Sequence, residues 1–356
     1  MKLFRLASRH TFLVVPVLAL VFLSACNRGR GRVLETVYVS APQAALRDRL
    51  AAVYNKVATV KNGEALQVLE RDRRFLRVRS ASGAEGWIEQ RSVVDHDVFE
   101  AAQKLAKDHA NDPAQGTGIT RNDTNIHIEP GRDTDHLFQL NQNDKVSILK
   151  RATAPKQLPG AAPAAVQTKT APQTKTAVPT KKDPTQPLME DWWLIRDAQG
   201  RTGWVIGRLL DLDVPLEIAQ YAEGQRIQAY FVLNEVQEGD KKVPEYVVLM
   251  SEPKDGMPFD FNQVRVFTWN VRKHRYETAY RERNLEGFFP VTLGHENFDK
   301  EGTLPTFTIR VHDTSDNLIE RKYKLNTPIV RRVLAPGEVP AKPLKQNARA
   351  GKKRRR

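Results

Sequence analysis

The sequence predicts a mainly β protein. One small barrel occurs twice, each copy is followed by a short helix, and a β-sandwich-like domain closes the chain. Three observations carry this. Asp191–Leu210, reading DWWLIRDAQGRTGWVIGRLL, aligns without a gap on Arg74–Val94, reading RFLRVRSASGAEGWIEQRSVV. In the first copy Leu76 and Val78 alternate with Arg77 and Arg79, and each copy turns at Gly83 or Gly200 and opens a second strand on Gly-Trp. Beyond Gln225, six to seven strand-like runs follow one another between Gly, Pro and Asp breakers. A repeated hairpin implies a repeated domain.

The elements follow in chain order. Lys2, Arg5 and Arg9 precede the apolar run Phe12–Leu23, which has signal-peptide length and is short for a membrane span. Leu23-Ser24-Ala25-Cys26 comes next, and Cys26 is the only cysteine of the chain. This stretch resembles the bacterial lipobox. The resemblance implies removal of residues 1–25 as a lipoprotein signal peptide and lipidation of Cys26. Two or more acyl chains would anchor the protein stably to a membrane. Asn27, which is not an aspartate, favours the periplasmic face of the outer membrane. Residues 26–34 then form a tether.

The first barrel is expected over 35–96 and the second over 116–214. Upstream of the two hairpins, Gly63–Arg71 aligns on Asn143–Arg151, with Leu66, Val68 and Leu69 falling on Val146, Ile148 and Leu149. Asp97-Val98-Phe99-Glu100 is a capping-box pattern that opens a linking helix, 97–112. Between Arg151 and Trp192 the second copy carries a Pro-, Ala-, Thr- and Lys-rich stretch where the first has three residues. Residues 152–190 are therefore an insertion at a hairpin tip, and their composition predicts disorder. A thirteenfold longer loop costs only ~2 kcal/mol, so a barrel tolerates it. Asp213-Val214-Pro215 opens a short helix over 215–224. The C-terminal β domain spans 225–335, with strands at Ile227–Val236, Tyr246–Met250, Val264–Trp269, Tyr276–Arg281, Phe307–His312 and Leu318–Leu325. There Trp269, Tyr276, Tyr280, Phe288 and Phe289 interleave with Arg265, Arg272, Lys273, Arg275, Arg281 and Arg283. That pattern reads as a sheet with a buried aromatic face and a solvated charged face. Residues 336–356 form a basic, disordered tail.

The order of turn, alternating strand, aromatic-rich strand, Gly-turn and Gly-Trp-Val/Ile resembles the bacterial SH3-like (SH3b) family over about 35–95 and 118–214. The resemblance implies noncovalent binding of peptidoglycan or wall-associated peptides in the groove beside the Gly-Trp strand. Trp87, Trp192 and Trp204 are the candidate ligand-binding residues, and Trp193 is assigned to the core. The alternative is an assembly or scaffold lipoprotein whose domains bind other envelope proteins.

Charge and residue chemistry narrow the classes further. The formal charge is +14, but residues 1–32, 154–190 and 342–356 together carry +17, so the remainder is about −3. The folded body is thus close to neutral, which argues against nucleic acid as a partner. A cysteine-dependent wall hydrolase needs a thiolate, and the one thiol is committed to lipidation. No Gly-x-Ser-x-Gly elbow, phosphate loop or dinucleotide fingerprint is present. His127 and Glu129 alternate on one strand and read as an exposed face, with no third metal ligand evident. The expectation is a non-enzymatic protein with no cofactor and no metal.

Overall fold

The computed structural model describes residues 32–156 and 187–334. The expected signal peptide and lipidated Cys26, most of the insertion and the expected basic tail lie outside the described residues. The chain is mainly β, as expected, and forms two compact units that divide between Phe99 and Glu100.

The first unit is a seven-stranded antiparallel sheet. Its strands are β1 (Glu35–Val39), β2 (Gln43–Arg47), β3 (Lys56–Lys61), β4 (Ala65–Asp72), β5 (Phe75–Arg79), β6 (Glu85–Glu89) and β7 (Val93–Asp95). They run in the order β3-β2-β6-β5-β4-β1-β7. Alternation does the sorting. Leu66 and Val68 of β4, Leu76 and Val78 of β5 and Ile88 of β6 point inward and meet Val37, Val39, Leu46 and Val60 in one core. The Gly of the Gly-Trp pair is explained by contact. A Cβ on Gly86 would lie 2.8 Å from Leu46 Cβ and 3.0 Å from Arg47 O, so only glycine lets β6 cross β2 this closely. Helix α1 (His96–Asp108) begins one residue before the capping-box reading, which places Asp97 within the first turn. In that turn Phe99 stacks on Tyr38 with ring centroids 3.8 Å apart.

The second unit opens with a sheet of the same strand order: β8 (Gly116–Thr120), β9 (Thr124–His127), β10 (His136–Leu140), β11 (Lys145–Pro155), β12 (Met189–Arg196), β13 (Thr202–Ile206) and β14 (Leu210–Leu212), arranged β10-β9-β13-β12-β11-β8-β14. Gly203 repeats the close approach of Gly86. A Cβ there would collide with Ile126 Cγ2 and lie 2.7 Å from His127 O. The insertion is shorter than 152–190. The ladder continues through Ala152↔Trp192, Thr153↔Asp191, Ala154↔Glu190 and Pro155↔Met189. Lys156 N–H then donates to Leu188 O at 2.6 Å. Low-complexity composition begins before strand pairing ends, because Ala, Thr and a terminal Pro are tolerated in a ladder fixed by the strand opposite.

Helix α2 covers only Leu216–Ala219, with turns rather than helix onward to Gly224. Seven strands follow as a simple meander: β15 (Arg226–Glu238), β16 (Lys241–Ser251), β17 (Phe261–Asn270), β18 (Arg275–Asn297), β19 (Thr303–His312), β20 (Leu318–Asn326) and β21 (Ile329–Val333). The sheet curls so that β15 approaches β19 and β18 approaches β21, giving the sandwich-like arrangement. Strand β18 runs straight through Gly287 and Pro290, both read from sequence as breakers. Gly287 lies opposite Phe261, whose ring fills the place where a Cβ would sit. Pro290 falls in an irregularity between Phe288 and Thr292, where no ladder bond is required. Arg265 departs from the solvated-face reading. It is buried, and its guanidinium donates to Thr278 Oγ1, Tyr221 O and Glu223 Oε1.

The second barrel and the meander share one core. Ile126, Val146, Ile148 and Ile195 continue into Val264, Phe307 and Ile309, and Trp193 meets Phe289 at 6.2 Å. The junction is locked by Arg151, whose side chain is 3% exposed. Its Nη2 donates to Asp191 Oδ1 at 2.7 Å, and its Nη1 donates to Phe259 O at 2.8 Å and Met257 O at 3.1 Å. Nη1 also faces Asp260 Oδ1 at 3.4 Å. Gly256 N–H donates to Asp191, Phe289 N–H to Asp260, and Val291 N–H to Gln115 Oε1.

Candidate functional site

The outward face of β2, β6 and β5 gathers the chemistry of the first barrel. In-register partners in an antiparallel sheet share a face. Arg47 pairs with Trp87 and Trp87 with Arg77, so a half-buried indole sits in a row between two arginines. The next row holds Phe75 opposite Glu89. Arg47 lies over the Tyr54 ring at 4.3 Å and 5.4 Å from the Phe75 centroid, both within cation–π range. Glu89 fixes it there by accepting from Arg47 Nη2 at 2.7 Å. Beside this row a cavity of about 570 Å³ is lined by Arg74, Phe75, Glu89, Gln90 and Arg91. The arrangement offers rings for stacking and guanidinium groups for hydrogen bonding, with no nucleophile beside a base. It can hold a ligand.

The same positions in the second barrel have different chemistry. The register partners are His127 with Trp204, Leu194 with Trp204, and Trp192 with Ile206. Arg47, Arg77, Phe75 and Glu89 are thus replaced by His127, Leu194, Trp192 and Ile206. Trp192 is a candidate ligand-binding residue by sequence, and its burial corrects that reading. It is 1% exposed, packs with Ala154, Ile206, Trp204 and Leu209, and meets the His127 ring edge-on at 5.2 Å. Its alignment on Phe75 identifies the right face, but the face is covered here. Trp193 is buried in the shared core. Trp204 is half-buried, as Trp87 is. Cys26 lies outside the described residues.

His127 is also not on a freely exposed face. It is half-buried, and its Nδ1 lies 3.0 Å from both Thr134 O and Thr134 Oγ1. Burial pushes its imidazole below the ordinary value, opposed by the Thr134 bond, and burial does the same to His136, whose ring lies 5.4 Å away. Arg132 closes this edge with two bonds to the buried Glu190, at 2.8 and 2.5 Å. Among the described residues, Glu286, His312 and Asp316 are the one group of three with metal-ligating atoms close together. His312 Nδ1 is 3.2 Å from Glu286 and 3.3 Å from Asp316, and surface ion pairing accounts for the contact. No helix among the described residues is long and apolar enough to cross a membrane.

Sequence reasoning finds Trp87 but misses Arg47, Tyr54, Phe75 and Glu89 as its neighbours. The alternation of Leu76 and Val78 with Phe75, Arg77 and Arg79 holds part of that signal. The pairing of β2 with β6 that brings in Arg47 is not local in sequence.

The first unit is thus a small barrel of seven short strands with an aromatic and basic outward face. Residues 45–94 match the bacterial SH3 domain family (SH3_3). No curated protein matches the chain. Solved structures aligned with it include an NlpC/P60 family protein from Bacillus cereus ATCC 10987, 8% identical, covering 70% of this chain and 99% of that one at a TM-score of 0.22. NlpC2 from Trichomonas vaginalis is 8% identical, covering 70% and 97% at 0.17. NlpC1 from the same organism is 10% identical, covering 72% and 95% at 0.17. TM-scores this low carry no argument about fold or activity.

Proposed function

We propose that the chain is a lipid-anchored protein of the bacterial cell envelope that holds peptidoglycan or wall-associated peptide without cutting it. The observation that carries this reading is the outward face of the first barrel. There Trp87, Phe75 and Tyr54 surround Arg47 beside an open cavity, within the stretch that matches the bacterial SH3 domain. Trp87 would stack on the ligand, and Arg47 and Arg77 would flank it. We read the second barrel as a second SH3-like domain, a reading its matching strand order supports; its Trp192 is buried and its core runs on into the C-terminal meander, so it serves as a platform rather than a second equal binding site. The only thiol in the chain is Cys26, so lipidation there leaves no cysteine nucleophile. Lipid on Cys26 would tether the protein, in a Gram-negative envelope at the periplasmic face of the outer membrane.

The full-length chain, in detergent, should sediment with purified sacculi, and Trp87→Ala should remove most of that sedimentation while the thermal transition is retained. A wild-type chain that stays in the supernatant sinks the wall-binding reading. Cys26→Ser should abolish labelling by fatty acid in cells, and retained labelling would refute the anchor.

A further inference from the structure

We infer that the binding face of the first barrel selects peptides bearing free carboxylates. This rests on the peptide-binding reading above and adds the chemistry of the ligand.

Charge at the cavity is the starting point. Glu89 is the one acid on its wall, and both of its oxygens are occupied. Oε1 accepts from Arg47 Nη2 at 2.7 Å, and Oε2 accepts from Arg91 Nε at 2.6 Å. These bonds orient two guanidinium groups around one carboxylate. Arg74 and Arg91 on the cavity wall, with Arg47 bonded to Glu89 from the adjacent row, stand against the single carboxylate of Glu89, which leaves two uncompensated positive charges. Arg74 makes no side-chain hydrogen bond or ion pair with another described residue, and the Arg91 side chain is 85% exposed. Phe75 adds an apolar ring to the cavity wall.

A carboxylate placed here receives charge-assisted N–H bonds in the planar fork geometry that suits arginine. Part of the ordering cost is already met, because Glu89 holds Arg47 and Arg91. A neutral amide oxygen accepts weaker, single bonds from the same groups and brings no opposite charge, and a cationic segment is repelled. The second point excludes two basic stretches of the chain itself as occupants. Residues 157–186 carry four Lys against one Asp, and residues 342–356 are entirely basic in their charges. In the second barrel, Leu194, Trp192 and Ile206 replace Arg77, Phe75 and Glu89, so the preference for anions belongs to the first barrel alone.

The test uses the full-length chain in detergent and two synthetic tetrapeptides. One has two free carboxylates, and the other is its fully amidated twin. Binding is read by tryptophan fluorescence and calorimetry. The acid form should bind at least tenfold more tightly. Arg74→Gln with Arg91→Gln, two exposed positions, should bring the acid form down to the level of the amide. Equal affinity for the two peptides, or a preference that survives the double variant, overturns the inference. Sacculi provide the separation. If the protein sediments with native and with amidated sacculi alike, the carboxylate preference fails and wall binding stands. If it sediments with neither but still prefers the acid peptide, the wall reading fails and the carboxylate site stands.

Discussion

Arg151→Met tests whether the second barrel and the meander are held together by the buried charge cluster. The substitution keeps the length of the side chain and removes its charge. It leaves the carboxylates of Asp191 and Asp260, both buried, without their shared cation, and strips the carbonyls of Met257 and Phe259 of a donor. Breaking a buried pair from one side costs about 3–5 kcal/mol. The lower end is expected, because Asp191 keeps Gly256 N–H at 2.8 Å and Arg226 at 3.5 Å. For a unit of this size each kcal/mol moves the melting temperature by roughly 2–4 °C, so a fall of about 6–12 °C should be seen. The deficit should also depend on pH. Burial already pushes the Asp260 carboxyl up, with Phe289 N–H and Arg151 opposing. A carboxyl raised in the folded state contributes stability at low pH and loses it as pH rises through the folded value. Removing Arg151 raises that value further. The gap between variant and wild type should therefore widen from about pH 4 to pH 7 and narrow on acidification. Denaturant unfolding followed by tryptophan fluorescence reads both effects, since four of the five tryptophans lie in the second unit. A loss below about 1 kcal/mol at pH 7, or a deficit that does not change with pH, would refute the assignment of Arg151 as the lock.

Two further outcomes follow from the second barrel. His127 and His136 are held below the ordinary histidine value by burial, so the unfolded chain binds protons that the folded barrel refuses. Their contribution is present above about pH 6.5 and lost as pH falls through and below it. The unfolding midpoint of the second unit should drop from pH 7 to pH 5, and His127→Asn with His136→Asn should flatten that drop; an unchanged slope counts against the two histidines. Replacing residues 157–186 by a two-residue turn should stabilise the barrel by at most ~2 kcal/mol, since Lys156 and Leu188 already meet at the base of the hairpin. A measured loss of stability would mean that the insertion packs on the barrel.

What is legible in the sequence is local and periodic. Alternation in Leu76–Arg79 and Leu66–Leu69 locates the strands, and the two Gly-Trp pairs locate the crossing of β6 on β2 and of β13 on β9. The gapless repeat exposes the insertion. Its ends are misplaced because composition marks where low complexity starts, whereas strand ends depend on the partner strand. Gly287 and Pro290 mislead for the same reason, since a glycine demanded by the Phe261 ring and a proline at an irregularity look like turn residues when read alone. The buried charges are illegible. Nothing near Arg151 in sequence announces Asp260, more than a hundred residues away, and Arg265 reads as a surface residue until Glu223 and the Tyr221 carbonyl are placed beside it.

The two barrels separate what the repeat fixes from what it leaves free. Strand order, the glycine at the crossing and the half-buried tryptophan after it recur in both, so they belong to the architecture. The residues around the tryptophan do not recur. In the first copy they are Arg47, Arg77, Phe75 and Glu89, kept open to solvent beside a cavity. In the second they are His127, Leu194, Trp192 and Ile206, and that face is closed. An aromatic residue that is present in both copies therefore cannot by itself mark a binding site. The informative residues are the charged ones that differ, because an arginine on an outward face retains its solvation only where the face stays open, and an apolar residue there is stable only where it is covered.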